Sequence, residues 1–184
     1  MNPSRNLFLI GPTGAGKTSL GRRLAAHYGL ALVDLDREIE RRTGTGIATI
    51  FDLEGESGFR RRESALLADH AARDNVLIAT GAGAVLDAGN RAQLVAHGYV
   101  LWVQVDIEQQ LERLARDSAR PLLAGAERHA ALAAMAAIRE PLYQACADLA
   151  LPAIHGATAM GNQAIALLDS HWQRPPAPIS TATA

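Results

Sequence analysis

Two sets of residues in this 184-residue chain have the types and spacing for chemistry on a phosphorylated cosubstrate. The first is Gly11-Pro12-Thr13-Gly14-Ala15-Gly16-Lys17-Thr18, a G-x-x-x-x-G-K-T loop. Its glycines admit positive φ, so the backbone can turn N–H groups inward on an anion. The apolar run Leu7-Phe8-Leu9-Ile10 before it reads as a buried strand. After it, Leu20, Leu24 and Tyr28 recur every four residues and predict a helix, whose N-terminus adds partial positive charge. Lys17 suits the β- and γ-phosphates of a nucleotide, and the Thr18 hydroxyl suits Mg²⁺. A Gly-rich turn before a surface helix would share the glycines but not this strand-loop-helix context. The loop reads as a nucleotide-binding element contacting the phosphates through Gly14, Ala15, Gly16, Lys17, Thr18 and Ser19.

The second set is acidic and basic. Phosphoryl transfer needs positioning and charge neutralisation more than covalent help from the protein. A metal needs an acid beyond Thr18, and two predicted strands end in one, Asp34 and Asp106. Asp106 already has a role as a helix cap, with Gln109 three positions on completing a capping box. Asp34 is therefore preferred for the metal. Asp36 is left to contact an acceptor hydroxyl and accept its proton, against the simpler reading of a cap for the next helix. Arg60, Arg120 and Arg139 are the remaining cations near strand ends or a candidate lid. One or two suit an anionic acceptor, and Arg120 suits the transferring phosphoryl group. Taken singly, each arginine is more simply explained by a solvated face.

The elements that must position these residues follow from the pattern. Leu30 to Val33 predicts a second buried strand, Val76 to Ala79 a third, Tyr99 to Val105 a fourth and Leu149 to Leu151 a weak fifth. Helices are predicted over about 37–42, around Ile47 to Phe51 with a stop at Gly55, and over 57–73. Others follow over 91–97, from 107 to about 116, over 128–144 and over 158–172. Strands alternating with helices imply a three-layer α/β/α fold on a five-stranded parallel sheet. Residues 1–174 read as one domain, with 37–70 as an acceptor-binding insertion and 117–127 as a mobile lid. Residues 175–184 read as a disordered tail.

Composition narrows the function classes. Net charge is −1 with no sustained basic run, so neither nucleic acid nor a membrane surface is an indicated partner. The one cysteine, Cys146, excludes an internal disulfide and reads as a small buried residue. The N-terminal apolar run breaks at Gly11, unlike a secretory signal, and the Ala-rich stretch 130–138 is too short to span a bilayer. These features lead to the expectation of a cytoplasmic protein.

Six motifs in order now define a resemblance. They are Gly11 to Thr18, Asp34-x-Asp36, Phe59-Arg60-Arg61-x-Glu63, Gly81-Ala82-Gly83-Ala84, Arg120-Pro121-Leu122-Leu123 and Arg139-x-Pro141-Leu142-Tyr143. Over residues 7 to about 150 the chain resembles the shikimate kinase family, in the nucleoside-monophosphate-kinase-like group of phosphate-loop enzymes. The resemblance implies a monomer that transfers the ATP γ-phosphoryl to the 3-hydroxyl of shikimate with Mg²⁺, in the chorismate and aromatic amino-acid pathway. It implies Asp34 on the metal side and Asp36 at the shikimate hydroxyls. It implies Arg60 and Arg139 on the shikimate carboxylate, Glu63 orienting Arg60, Arg120 closing on the ATP phosphates and Arg113 beside the adenine. Lys17, Asp36 and Arg120 become the catalytic set, and Gly81, Ala82 and Gly83 line the shikimate site. One departure stands out, because the family has three glycines where this chain has Gly81-Ala82-Gly83. A positive φ at the middle position would strain Ala82 by about 1 kcal/mol, and otherwise only a methyl intrudes. A gluconate kinase would leave Asp34-x-Asp36 and the Phe59 motif unexplained. A non-catalytic binder would not keep Lys17, Asp36 and Arg120, and a GTPase lacks its N-K-x-D signature here.

Overall fold

The computed structural model describes residues 4–115 and 128–175. Five strands, β1 (Leu7–Ile10), β2 (Ala31–Asp34), β3 (Val76–Ala79), β4 (Tyr99–Val103) and β5 (Leu149–Leu151), form one parallel sheet. Its order is β2-β3-β1-β4-β5. The helices are α1 (Lys17–Tyr28), α2 (Leu35–Thr43), α3 (Ile47–Ala71), α4 (Ala88–His97), α5 (Ile107–Leu114), α6 (Arg128–Cys146) and α7 (Ala157–His171), with a 3-10 turn over Ala84–Leu86.

Strand β1 shows why the fold has three layers. All four of its side chains are fully buried. Leu7 and Leu9 pack with Leu20 and Leu24 of α1 and Ala164 and Leu168 of α7 on one face. Phe8 and Ile10 pack with Phe59 and Leu67 of α3, Leu94 of α4 and Tyr143 of α6 on the other. A strand covered on both faces must be apolar at every position, which is why the run carries no alternation.

Several expectations change at their edges. Strand β2 lies at the sheet edge, paired only to β3, so its residues are exposed or half-buried rather than buried. Helix α4 begins three residues early because Asp87 caps it, accepting from the Asn90 N–H at 2.8 Å. Helix α3 is interrupted at Gly55 (φ 69°, ψ −179°), which reproduces the predicted stop between two helical segments. At α5, Asp106 accepts from the Gln109 N–H at 2.7 Å, but the Gln109 side chain does not close the box. It turns instead to Arg113 and His155. The candidate lid over 117–127 and the tail from 176 lie outside the described residues.

Asn6 fastens the start of β1 to three other elements. Its buried amide donates to the Arg73 and His97 carbonyls at 2.6 and 3.1 Å and accepts from the Val76 N–H at 3.1 Å. Replacing it orphans buried backbone groups at the foot of the sheet. Asn6→Ala should cost about 2–4 kcal/mol, read as a lower urea midpoint at unchanged m.

Candidate active site

The first catalytic element is the loop between β1 and α1. Gly11, Gly14 and Gly16 have φ of 139°, 76° and 91°, as the anion-binding reading requires. The loop carbonyls are turned outward onto donors. Lys17 Nζ donates to the Gly11 and Pro12 oxygens at 2.8 and 2.9 Å, and Gln110 Nε2 donates to the Thr13 oxygen at 2.7 Å. Arg113 Nη1 donates to the Gly14 oxygen at 2.8 Å, while its Nη2 donates to Gln109 at 3.1 Å. Helix α5 thus braces the loop from outside. Ala15 is fully buried and Ser19 is exposed in the first turn of α1.

Asp34 unites two readings that the sequence treated as alternatives. Its Oδ2 accepts from the Thr18 hydroxyl at 2.6 Å, and its Oδ1 accepts from the Arg37 N–H as the cap of α2. The cap of this helix is therefore Asp34, not Asp36. One carboxylate serves both purposes because its two oxygens face different ways. Thr18 and Asp34 offer adjacent hard oxygens and few of them, which fits Mg²⁺, an ion that keeps most of its shell for water and phosphate. Among the described residues no cluster of three or more His, Cys, Asp or Glu forms a metal cage.

The acceptor-side candidates converge around Glu63. This side chain is fully buried and accepts from Arg60 Nη1 at 2.6 Å. Burial pushes its carboxyl above the ordinary range, Arg60 opposes that shift, Asp36 adds to it and Lys17 opposes it. All four charges therefore share one low-dielectric neighbourhood. Gly81 is pressed against the Glu63 carboxylate, and a Cβ there would also meet Asp36 Oδ1 at 3.3 Å. Gly83 is pressed in the same way against the Arg60 guanidinium. A methyl at either position would force the facing carboxylate or guanidinium to move. Ala82 sits between them without positive φ, so the feared strain is absent and its methyl is simply buried.

All three residues are buried, yet among the described residues the N–H groups of Gly81, Ala82 and Gly83 have no hydrogen-bond acceptor. Buried orphan donors are rare, and three in a row beside arginine mark a place for an acceptor-bearing ligand. Tyr143 completes the group. Its hydroxyl donates to the Ala82 carbonyl at 2.5 Å, and the positive charge of Arg139 acts on the same phenol. A cavity of about 240 Å³ opens next to this cluster, lined by Pro12, Thr13, Trp102, Gln110, Arg139 and Tyr143. Asp36, Arg60 and Gly81 to Gly83 lie outside its lining, so Arg139 is the acceptor-side candidate that it reaches. Arg120 lies outside the described residues.

A family model described as shikimate kinase matches residues 13–165. The chain belongs to the shikimate kinase family. A shikimate kinase of Xanthomonas campestris pv. campestris (strain 8004) is 45% identical over 174 residues, covering 94% of this chain and 97% of the relative. One from Xylella fastidiosa (strain M12) is 44% identical over 175 residues, covering 95% and 97%. Among solved structures, a shikimate kinase from Acinetobacter baumannii in complex with shikimate superposes with TM-score 0.86 at 40% identity, covering 91% of this chain and 94% of that one. A gluconokinase from Sinorhizobium meliloti 1021 superposes with TM-score 0.58 at 14% identity, a likeness of fold alone.

In this member of the shikimate kinase family, three contributors escape a reading by residue type. Gln110 and Arg113 brace the phosphate loop through its carbonyls, and Tyr143 meets the acceptor loop. The resemblance places Arg113 beside the adenine, while the sequence signal for Gln110 is its position one helix turn earlier on a short helix after a capped strand end.

Helix α2 carries Asp36 and α3 carries Arg60, and surface ions tie the two together. Glu38 accepts from Arg41 and Arg42, and Arg42 also donates to Asp69 of α3 at 2.9 Å. The hydrogen bond from Arg41, then that from Arg42, hold the Glu38 carboxyl down at about 2, against an ordinary value of 4.5. A depressed carboxylate stabilises the fold fully above pH 4.5, and that share is lost as pH falls through about 2. Glu38→Gln should therefore lower the urea midpoint at pH 7, with the gap to the parent closing near pH 2. A gap that persists undiminished at pH 2 would reject this pairing as its source.

Proposed function

We propose that this chain transfers the γ-phosphoryl group of ATP to the 3-hydroxyl of shikimate, yielding shikimate 3-phosphate and ADP for chorismate and aromatic amino-acid synthesis. The observation that carries the reading is the row of buried N–H groups at Gly81, Ala82 and Gly83, which have no acceptor among the described residues and stand beside Arg60, with Arg139 and Tyr143 lining the adjoining cavity. That combination suits a small acceptor bearing both hydroxyls and a carboxylate.

Each residue then has a task. Lys17 exchanges the Gly11 and Pro12 carbonyls for the β- and γ-phosphates, the anion for which the loop N–H groups are turned. Thr18 and Asp34 would hold Mg²⁺, which when bound neutralises phosphate charge. Arg113 fixes the loop at Gly14 and flanks the nucleotide base. Arg60, oriented by Glu63, and Arg139 grip the carboxylate and so present the acceptor hydroxyl to the phosphate. In the transfer, the acceptor oxygen bonds to the γ-phosphorus as the bond to the β–γ bridging oxygen breaks. The hydroxyl proton passes to a carboxylate oxygen of Asp36. The same reading makes the protein a cytoplasmic monomer, in keeping with its one buried cysteine. Among the described residues no helix is long and apolar enough to cross a membrane.

Coupled ADP release with ATP and Mg²⁺ tests the assignment when shikimate, quinate and gluconate are supplied in turn. Turnover should depend on shikimate, and turnover with gluconate alone would overturn the reading. Asp36→Asn should lower kcat by about 10²- to 10⁴-fold while ATP affinity stays near that of the parent. Near-parental kcat in that variant would remove Asp36 from the proton transfer. Arg139→Ala should raise KM for shikimate by about 10- to 100-fold, with KM for ATP little changed.

A further inference from the structure

Tyr143 is 1% exposed, and its O–H donates to the Ala82 carbonyl at 2.5 Å. Burial raises the phenol above its ordinary range, outweighing the pull of Arg139 and Arg60, so the group stays a donor. The Trp102 ring lies 5.9 Å away and supports the phenol from β4. The bond crosses from α6 to the turn after β3, two segments 61 residues apart.

Its consequence follows from peptide geometry. No cis peptide occurs among the described residues, so the Ala82 carbonyl and the Gly83 N–H lie in one peptide plane and point in opposite directions within it. A carbonyl held toward Tyr143 turns the Gly83 N–H away from it. Letting this peptide rotate would break the bond to Tyr143, orphan a buried carbonyl and re-aim the N–H. Arg139, one helical turn earlier on α6, lies near enough for its charge to act on the same phenol. Pro141 lies between them, where a helix loses a backbone hydrogen bond, so side-chain bonds matter more for holding this turn.

We propose that Tyr143 is a positioning residue for the acceptor. Its O–H locks the Ala82–Gly83 peptide, so that the turn's N–H groups meet the acceptor in one geometry. The proposal rests on the acceptor site assigned above. It goes beyond it by giving acceptor affinity to a side chain shielded from solvent.

Tyr143→Phe keeps the ring and removes only the O–H. KM for shikimate should rise about tenfold while KM for ATP stays within twofold of the parent, and calorimetric titration with shikimate in the absence of nucleotide should show the same loss. A partly unfolded population lowers kcat but moves neither KM, so the ratio of the two stays readable even if the melting temperature falls. Parental KM values for both substrates would reduce Tyr143 to a structural anchor and overturn the proposal. Equal weakening of both substrates would overturn it too, since positioning of the acceptor alone predicts a split. If the parent protein itself shows no shikimate-dependent ADP release, the acceptor assignment falls first and this proposal falls with it.

Discussion

The site depends on one buried ion pair. A fully buried carboxylate is costly, and Glu63 persists because Arg60 donates to it at 2.6 Å on the same helix face. The pair leaves Glu63 Oε1 with no hydrogen-bond partner, pressed against the Gly81 backbone. That oxygen fixes what the neighbouring loop can be. A side chain at Gly81 or Gly83 would displace the carboxylate or the guanidinium from the place each now occupies. The middle residue has no positive φ, which is why an alanine is accommodated there without backbone strain.

The sheet order puts this loop beside the phosphate loop. Strands β3 and β1 are neighbours, and Thr80 donates both its N–H and its hydroxyl to the Leu9 carbonyl, each at 3.1 Å. The two loops therefore leave adjacent strands at the same carboxyl edge, where ligands of open α/β sheets bind. Asp34 and Asp36 arrive from β2 on the far side of β3, so the acceptor groups lie on one flank of the phosphate loop. Helix α5 braces the other flank through Gln110 and Arg113. The loop is gripped by its carbonyls on the outside, leaving its N–H groups the inner side.

Legibility varied with the range of the interaction. The phosphate loop was readable in full, because strand, glycines and helix are contiguous and each states its own conformation. Caps were readable where the side chain is three residues from its partner, as at Asp106, yet Asp87 was overlooked among small residues that carry no apolar period. The pairing of Asp34 and Asp36 was only half readable. Both stand at a strand end, and which of them caps α2 depends on where each carboxylate points once Thr18 is beside it. Tyr143 was named within a motif but given no task, since nothing near it in the chain reveals a carbonyl 61 residues away.

The sequence by itself determined the alternation of strands and helices, the nucleotide loop and the identity of the charged groups, because periodicity, glycine placement and residue chemistry act over a few positions. Only the tertiary structure decided that β2 is an edge, that Glu63 is buried and that the buried N–H groups of Gly81 to Gly83 have no acceptor among the described residues. Those outcomes depend on contacts between segments far apart in the chain. Burial and hydrogen-bond satisfaction belong to the packed assembly, and no local pattern encodes them.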